Sequence, residues 1–224
     1  MKLISDQNLN LKGKKVLLRV DLNVPMENGA ISETSRIEKI IPTIKLLIEK
    51  KAKIIILSHI GRPKGEIVKG MSLKPISKKL SSLINKEINF NNKMIDKIEL
   101  SEVNNIENSS IMMLENIRFN KKEEINDERF AKEISNLGDI YVNDAFSVSH
   151  RSHASVDGIT KFIPSYYGLQ ITKEMNAIKK ITSEIKKPMT LTIGGSKIST
   201  KIKIINNIRK KYDKVIIDGE RENT

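Results

Sequence analysis

The chain has 224 residues, 38% hydrophobic and 30% charged, with 40 Lys and Arg against 27 Asp and Glu, three His and no Cys or Trp. That length supports a hydrophobic core without covalent staples, and the lack of cysteine excludes thiolate nucleophiles, cysteine metal sites and a disulfide framework. A net charge of +13 raises nucleic-acid binding as a reading, but Lys is mixed with acids along every predicted helix and aromatics are 4%, so no stacking platform forms and no nucleic-acid partner is expected.

In chain order, Met1-Lys2-Leu3-Ile4-Ser5-Asp6 turns polar too soon for a signal peptide. No later run reaches the ~18 apolar residues that span a bilayer, so a soluble cytoplasmic protein with no membrane partner is expected. Lys15–Val20 reads as a buried strand that turns out through Asp21-Leu22-Asn23-Val24-Pro25, and Glu27-Asn28-Gly29 makes a tight turn. Ile37, Ile40, Ile41, Ile44, Leu47 and Ile48 recur at three- and four-residue steps, which predicts a helix over Ser35–Lys50, N-capped by Thr34 or Ser35 and kinked at Pro42. Strand Lys53–Leu57 completes a βαβ unit.

The alternation continues through helix Ser72–Ile84, strands Glu87–Phe90 and Ser110–Leu114, helix Asn126–Asn136 ending at Gly138, and strand Asp139–Val142. Such alternation implies a parallel sheet. Leu169–Lys186 is one long amphipathic pattern closed by Pro188, the kind of element that joins two lobes, and strand Met189–Ile193, helix Ser196–Lys211 and strand Lys214–Ile217 follow. A single βαβ unit is too small for a domain. The expected organisation is a domain over 1–168, an interdomain helix over 169–187 and an incomplete second lobe over 188–224.

In an open α/β sheet, ligands bind outside the carboxyl ends of the strands, so polar residues following apolar runs are the candidates for chemistry. Here those residues are cationic. Ser58-His59-Ile60-Gly61-Arg62-Pro63-Lys64-Gly65 follows one strand, Arg118 another and Arg151 a third, while Arg36 opens a helix. Any one of these arginines alone reads as a residue that solvates a helix or loop; together they form a set suited to forked binding of carboxylate or phosphate. His59, His150 and His153 lie in the same loops, and no carboxylate pairing marks them as metal ligands. Asp21 and Asn23 fit either a substrate hydroxyl, the fixing of the arginines, or plain turn chemistry. Ile193-Gly194-Gly195-Ser196-Lys197 leads from a strand through two glycines toward a helix start, with Lys201 four residues on. Backbone amides and lysines there could approach a phosphate.

Five segments carry a family resemblance: Arg19–Pro25 (RVDLNVP), Ser58–Gly65 (SHIGRPKG), Leu114–Phe119 (LENIRF), Asn143–Ser155 (NDAFSVSHRSHAS) and Ile193–Lys201 (IGGSKISTK). In order and spacing, over nearly the whole chain, they resemble phosphoglycerate kinase. The resemblance implies a three-layer, doubly wound parallel α/β sheet with an incomplete second Rossmann-like lobe. It also implies a glycolytic phosphotransferase acting between 1,3-bisphosphoglycerate and ADP to give 3-phosphoglycerate and Mg-ATP. Carried over by residue, Asp21, Asn23, Arg36, His59, Arg62, Arg118 and Arg151 bind substrate; Arg36 and Lys197 are catalytic; Gly194, Gly195, Lys197 and Lys201 contact nucleotide.

The resemblance places the Mg ligand, as well as the adenosine pocket, in a part of the family's second lobe that this sequence does not contain. It implies a monomer for the intact family member. The chain departs from the family at Asp218-Gly219-Glu220-Arg221-Glu222, where the family carries small or apolar residues. Two readings stay open: the first portion of a kinase, catalytic only when a second lobe completes it, or a non-catalytic fragment retaining an anion site. Exposed apolar residues Leu169, Ile171, Met175, Ile178 and Ile181 would favour self-association of such a fragment.

Overall fold

The computed structural model describes residues 2–5, 9–27, 29–183, 187–194, 202, 205–206 and 209–218. The strands are β1 (Lys2–Leu3), β2 (Lys15–Val20), β3 (Met26–Glu27), β4 (Ala30–Ile31), β5 (Lys53–Leu57), β6 (Ile88–Asn91), β7 (Ile111–Leu114), β8 (Ile140–Asp144), β9 (Ser165–Tyr167), β10 (Thr190–Gly194) and β11 (Lys214–Asp218). The helices are α1 (Ser35–Glu49), α2 (Lys74–Ile84), α3 (Leu100–Asn104), α4 (Lys121–Glu124), α5 (Glu128–Ser135) and α6 (Leu169–Thr182). The chain divides into two compact units, 1–172 and 173–224.

Unit 1 is built on a seven-stranded sheet of order β1-β9-β8-β2-β5-β7-β6, in which every pairing is parallel. Alternate side chains of β2 divide between two cores, as the two-residue pleat requires. Val16, Leu18 and Val20 pack with Ile37, Ile40, Ile44 and Leu47 of α1 and Ile76 and Leu80 of α2. Leu17 packs on the other side with Ile55, Tyr141 and the α5 residues Phe130, Ala131 and Ile134. Both faces of the sheet are therefore covered, giving three layers. From β2 the chain passes to β5 on one side, and from β8 to β9 on the other. The carboxyl ends of β2 and β8 thus flank a topological switch point, where a crevice opens.

The predicted strands Lys15–Val20 and Lys53–Leu57 occur with those bounds. Helix α2 starts at Lys74, after a 3-10 turn at Lys69–Met71, because the Glu115 carboxylate accepts from the Ser72 hydroxyl (2.7 Å) and the Leu73 amide (2.8 Å). Helix α5 begins at Glu128, where the Asp127 side chain accepts from the Phe130 amide at 2.8 Å. Helix α1 runs unbroken through Pro42, which sits on its exposed side. Thr34 occupies the cap position, but its hydroxyl donates to Glu38 Oε1 at 2.6 Å instead of accepting from a backbone amide. Strands β1 and β9, helix α3 and the antiparallel pair β3–β4 add to the predicted elements.

At the end of β8, the buried Asp144 accepts from the Thr43 hydroxyl of α1 (2.5 Å) and from the amides of Gln170 (2.8 Å) and Ile171 (3.1 Å). A carboxylate at a helix start satisfies orphan amides and complements the helix dipole, which explains why α6 begins here. Ile171, expected to be exposed, is buried at 1% exposure, whereas Met175, Ile178 and Ile181 are exposed. In unit 2, β10 and β11 pair in parallel, Gly194 opposite Asp218. The predicted helix over 196–211 lies largely outside the described residues; Arg209–Lys211 forms a 3-10 turn.

Candidate functional site

A cleft of about 310 Å³ opens at the carboxyl ends of β2, β5, β7 and β8, lined by Asp21, Asn23, Arg36, His59, Gly61, Arg62, Arg118, Ser147, Val148 and Arg151. Every residue expected at the substrate site is among them. Gly195, Lys197 and Lys201 lie outside the described residues, and Gly194 closes β10 in unit 2. His150 is exposed and does not line the cleft.

The loops hold one another in place. Asn23 Oδ1 accepts from the Gly61 amide at 2.8 Å, and Arg118 Nη1 donates to the Gly61 carbonyl at 2.8 Å. Gly65 has φ +80°, and its amide donates to the Arg118 carbonyl at 3.1 Å. A Cβ at Gly65 would stand 2.8 Å from Lys121 Cα, a backbone contact that nothing flexible can relieve, in a backbone conformation that favours glycine. Asp21 accepts from Arg36 Nη1, the Ser147 hydroxyl and, at 2.9 Å, the Asn23 amide. Of the options open for Asp21, the geometry shows two at once: it fixes an arginine and makes the turn bond to the amide two residues on.

Burial separates the cations into two levels. Arg36 and Arg62 are exposed at the rim, whereas Arg118 and His59 are each 3% exposed at the floor. Arg118 Nε lies 3.4 Å from Glu124 Oε1, yet Arg118 Nε and Nη2 and Arg151 Nε are buried without a hydrogen-bond partner. Buried orphan donors are costly in a native protein. Four guanidinium groups face a single lining carboxylate, Asp21, so the cleft has an excess of positive charge. Burial, opposed by Glu124 and reinforced by Arg151 and Arg19, presses the Arg118 pKa down. Burial and then Arg19, Arg118 and Arg151 drive the His59 pKa far below its ordinary value. His59 is consequently a neutral imidazole at physiological pH.

Beneath the floor lies a network that reading the sequence missed. Arg19 is wholly buried: Nε donates to Ser155 Oγ (3.0 Å), Nη1 to the Val20 carbonyl and Nη2 to His59 Nδ1 (3.1 Å). Glu123, also wholly buried, accepts from the Ser155 hydroxyl (2.6 Å) and amide (2.9 Å). Burial raises the Glu123 pKa and Arg19 opposes the rise. His153 Nδ1 is 3.8 Å from Glu123 Oε1, and burial followed by Arg118 lowers its pKa to about 4. The available signal was a charge within the apolar strand Lys15–Val20, since a charge so placed needs partners. Among the described residues, no group of three or more His, Cys, Asp or Glu could hold a metal ion.

Fold and cleft together define a doubly wound α/β protein with a cationic cleft at the switch point of its sheet. Known proteins narrow this class. The sequence model of the phosphoglycerate kinase family matches residues 6–224. The chain is 45% identical over 215 residues to the phosphoglycerate kinase of Finegoldia magna, covering 95% of this chain and 54% of that protein. It is 46% identical over 213 residues to that of Wolbachia sp. subsp. Brugia malayi, covering 95% and 53%. The solved phosphoglycerate kinase of Coxiella burnetii gives a TM-score of 0.83 at 39% identity, covering 94% of this chain and 53% of that one. That of Pyrococcus horikoshii gives 0.87 at 28%, covering 98% and 55%. The chain belongs to the phosphoglycerate kinase family, and it spans about half the length of the curated relatives it matches.

Proposed function

We propose that the cleft binds 3-phosphoglycerate and 1,3-bisphosphoglycerate, and that the chain is the substrate half of a cytoplasmic phosphoglycerate kinase of glycolysis. The observation that carries this reading is the set of unpartnered buried donors on Arg118 and Arg151 in one small cationic cleft. A small multiply charged anion would satisfy them through charge-assisted hydrogen bonds. In this reading residues 1–168 hold the substrate, 169–187 form the connecting helix, and 188–224 begin the nucleotide lobe, where Gly194, Gly195, Lys197 and Lys201 contact ADP or ATP.

The reaction needs no general base, because the attacking carboxylate of 3-phosphoglycerate is already ionised at pH 7. It needs positive charge held where the phosphoryl oxygens pass, since catalysis of phosphoryl transfer is mostly positioning and electrostatic stabilisation. Arg36, aimed by Asp21, and Lys197 fill that role. Mg-ADP and Mg-ATP are the nucleotide forms expected, with the Mg ligand supplied by a region corresponding to the remainder of the family's second lobe.

The same cationic cleft with its unsatisfied donors supports a second reading, a non-catalytic fragment that binds 3-phosphoglycerate or other anions. Calorimetry with 3-phosphoglycerate beside a coupled ATP assay separates the two. Binding with ATP formation supports the kinase; binding without turnover supports the fragment; no binding refutes the assignment of the cleft. The exposed Met175, Ile178 and Ile181 supply an apolar surface for self-association of the fragment, and sedimentation over a concentration series tests it.

A further inference from the structure

We propose that Glu123 and Ser155 act through Arg19 to fix the tautomer of His59, so that His59 offers the cleft a neutral Nε2–H donor. The inference deepens the substrate reading of the same cleft and assigns positioning roles to three residues that do not line it.

The argument follows the direction of each hydrogen bond. Glu123 accepts at both oxygens, from the amide and from the hydroxyl of Ser155. The single hydroxyl proton of Ser155 is therefore committed to Glu123, and its oxygen is left to accept from Arg19 Nε at 3.0 Å. Guanidinium nitrogens only donate, so Arg19 Nη2, 3.1 Å from His59 Nδ1, requires Nδ1 to be the accepting nitrogen. The imidazole proton must then sit on Nε2. A proton on Nδ1 would oppose the guanidinium N–H, which disfavours both the other tautomer and the imidazolium ion.

The supports leave little freedom. The Tyr141 hydroxyl donates to the Ser155 carbonyl at 2.7 Å, so Ser155 is fixed on its amide, carbonyl and hydroxyl. Arg19, Ser155 and Glu123 are all wholly buried, and in such surroundings a partly satisfied polar chain would be costly. His59 lines the cleft beside Arg118 and Arg151. There it adds a directional donor without adding a further positive charge, which the neighbouring guanidinium groups would repel.

The test is the 15N–1H spectrum of the imidazoles in the ligand-free 224-residue chain at pH 7, with His59 assigned by the loss of its signals in His59→Gln. The expected signature is a protonated Nε2 and an unprotonated, accepting Nδ1. Ser155→Ala should move both shifts toward their tautomer average and weaken 3-phosphoglycerate binding about tenfold, while Ser155→Thr, which keeps the hydroxyl, restores the wild-type signature. A wild-type His59 that is protonated on Nδ1, or doubly protonated, overturns the proposal even if no variant folds. So does a folded Ser155→Ala chain with an unchanged tautomer, and a shifted tautomer with unchanged affinity overturns the role in the cleft. Because the signature is read without ligand, its failure is separate from a failure of the chain to bind 3-phosphoglycerate.

Discussion

Arginine serves this cleft under two opposed conditions. At the rim, Arg36 has a side chain 43% exposed and is held by Asp21; below the floor, Arg19 is wholly buried with an acceptor for each of its three nitrogens. Between them lies Arg118, buried like Arg19 but with two nitrogens left without a hydrogen bond, one of them 3.4 Å from Glu124. The difference teaches that burial alone does not mark a binding group. Exposed ion pairs contribute little to stability, a buried charge with all partners present becomes part of the fold, and a buried charge with hydrogen bonds left unmade is the one a ligand would satisfy.

The largest expected effect is at the rim. In a full-length kinase carrying this sequence as its first half, Arg36→Ala should cut turnover on the order of a thousandfold and leave the thermal midpoint unchanged; near-normal turnover in the coupled ATP assay would remove Arg36 from the mechanism. Below the floor, Arg19→Met should destabilise the chain by about 3–5 kcal/mol, because the buried Glu123 loses its compensating charge. Urea denaturation measures this, and a stability matching the wild type would mean that the network does not support the fold. For Arg118→Met the balance reverses. Affinity for 3-phosphoglycerate should fall about 100-fold or more, while the stability of the ligand-free protein stays within about 1 kcal/mol; a destabilisation as large as that of Arg19→Met would erase the distinction drawn between them.

A further expected effect is a dependence on pH. His59 and His153 have lowered pKa values in the folded chain, that of His153 about 4, whereas in the unfolded chain each takes up a proton near its ordinary ~6.5. Below that pH the unfolded state binds more protons, so stability falls as pH drops from about 6.5 toward 4 and rises with pH across the same window. Urea midpoints measured along this range should show the slope, and His153→Gln should flatten part of it. Glu123, whose pKa burial raises, opposes this slope, so the deciding comparison is between the two profiles: a His153→Gln profile that matches the wild type would mean that the fold does not hold this imidazole neutral.

Much of this was legible in the sequence where one physical signal dominated. Lys53–Leu57 and, apart from Arg19, Lys15–Val20 are apolar after their first residue and buried on both faces, which near-continuous apolar runs report directly. Among the basic residues of the cleft, His59, Arg62, Arg118 and Arg151 stood out because each lies in a loop that follows an apolar strand, and Arg36 because it opens a helix. Strands β1 and β9 did not, being two and three residues long and only partly buried, with no room for a period to show. Glu123 was hidden for the opposite reason, since it sits among Lys121, Lys122 and Glu124 in a run that looks fully solvated. Arg19 and Ser155 are 136 positions apart, and no local pattern could pair them.

Gly65 has no functional group, yet it touches the backbone of Lys121 and is tied to the carbonyl of Arg118. Any side chain there would push apart the two loops that carry Arg62 and Arg118. An inactivating substitution could thus arise at a residue that takes no part in the chemistry, through wedge rather than charge, with a seemingly intact set of arginines left behind.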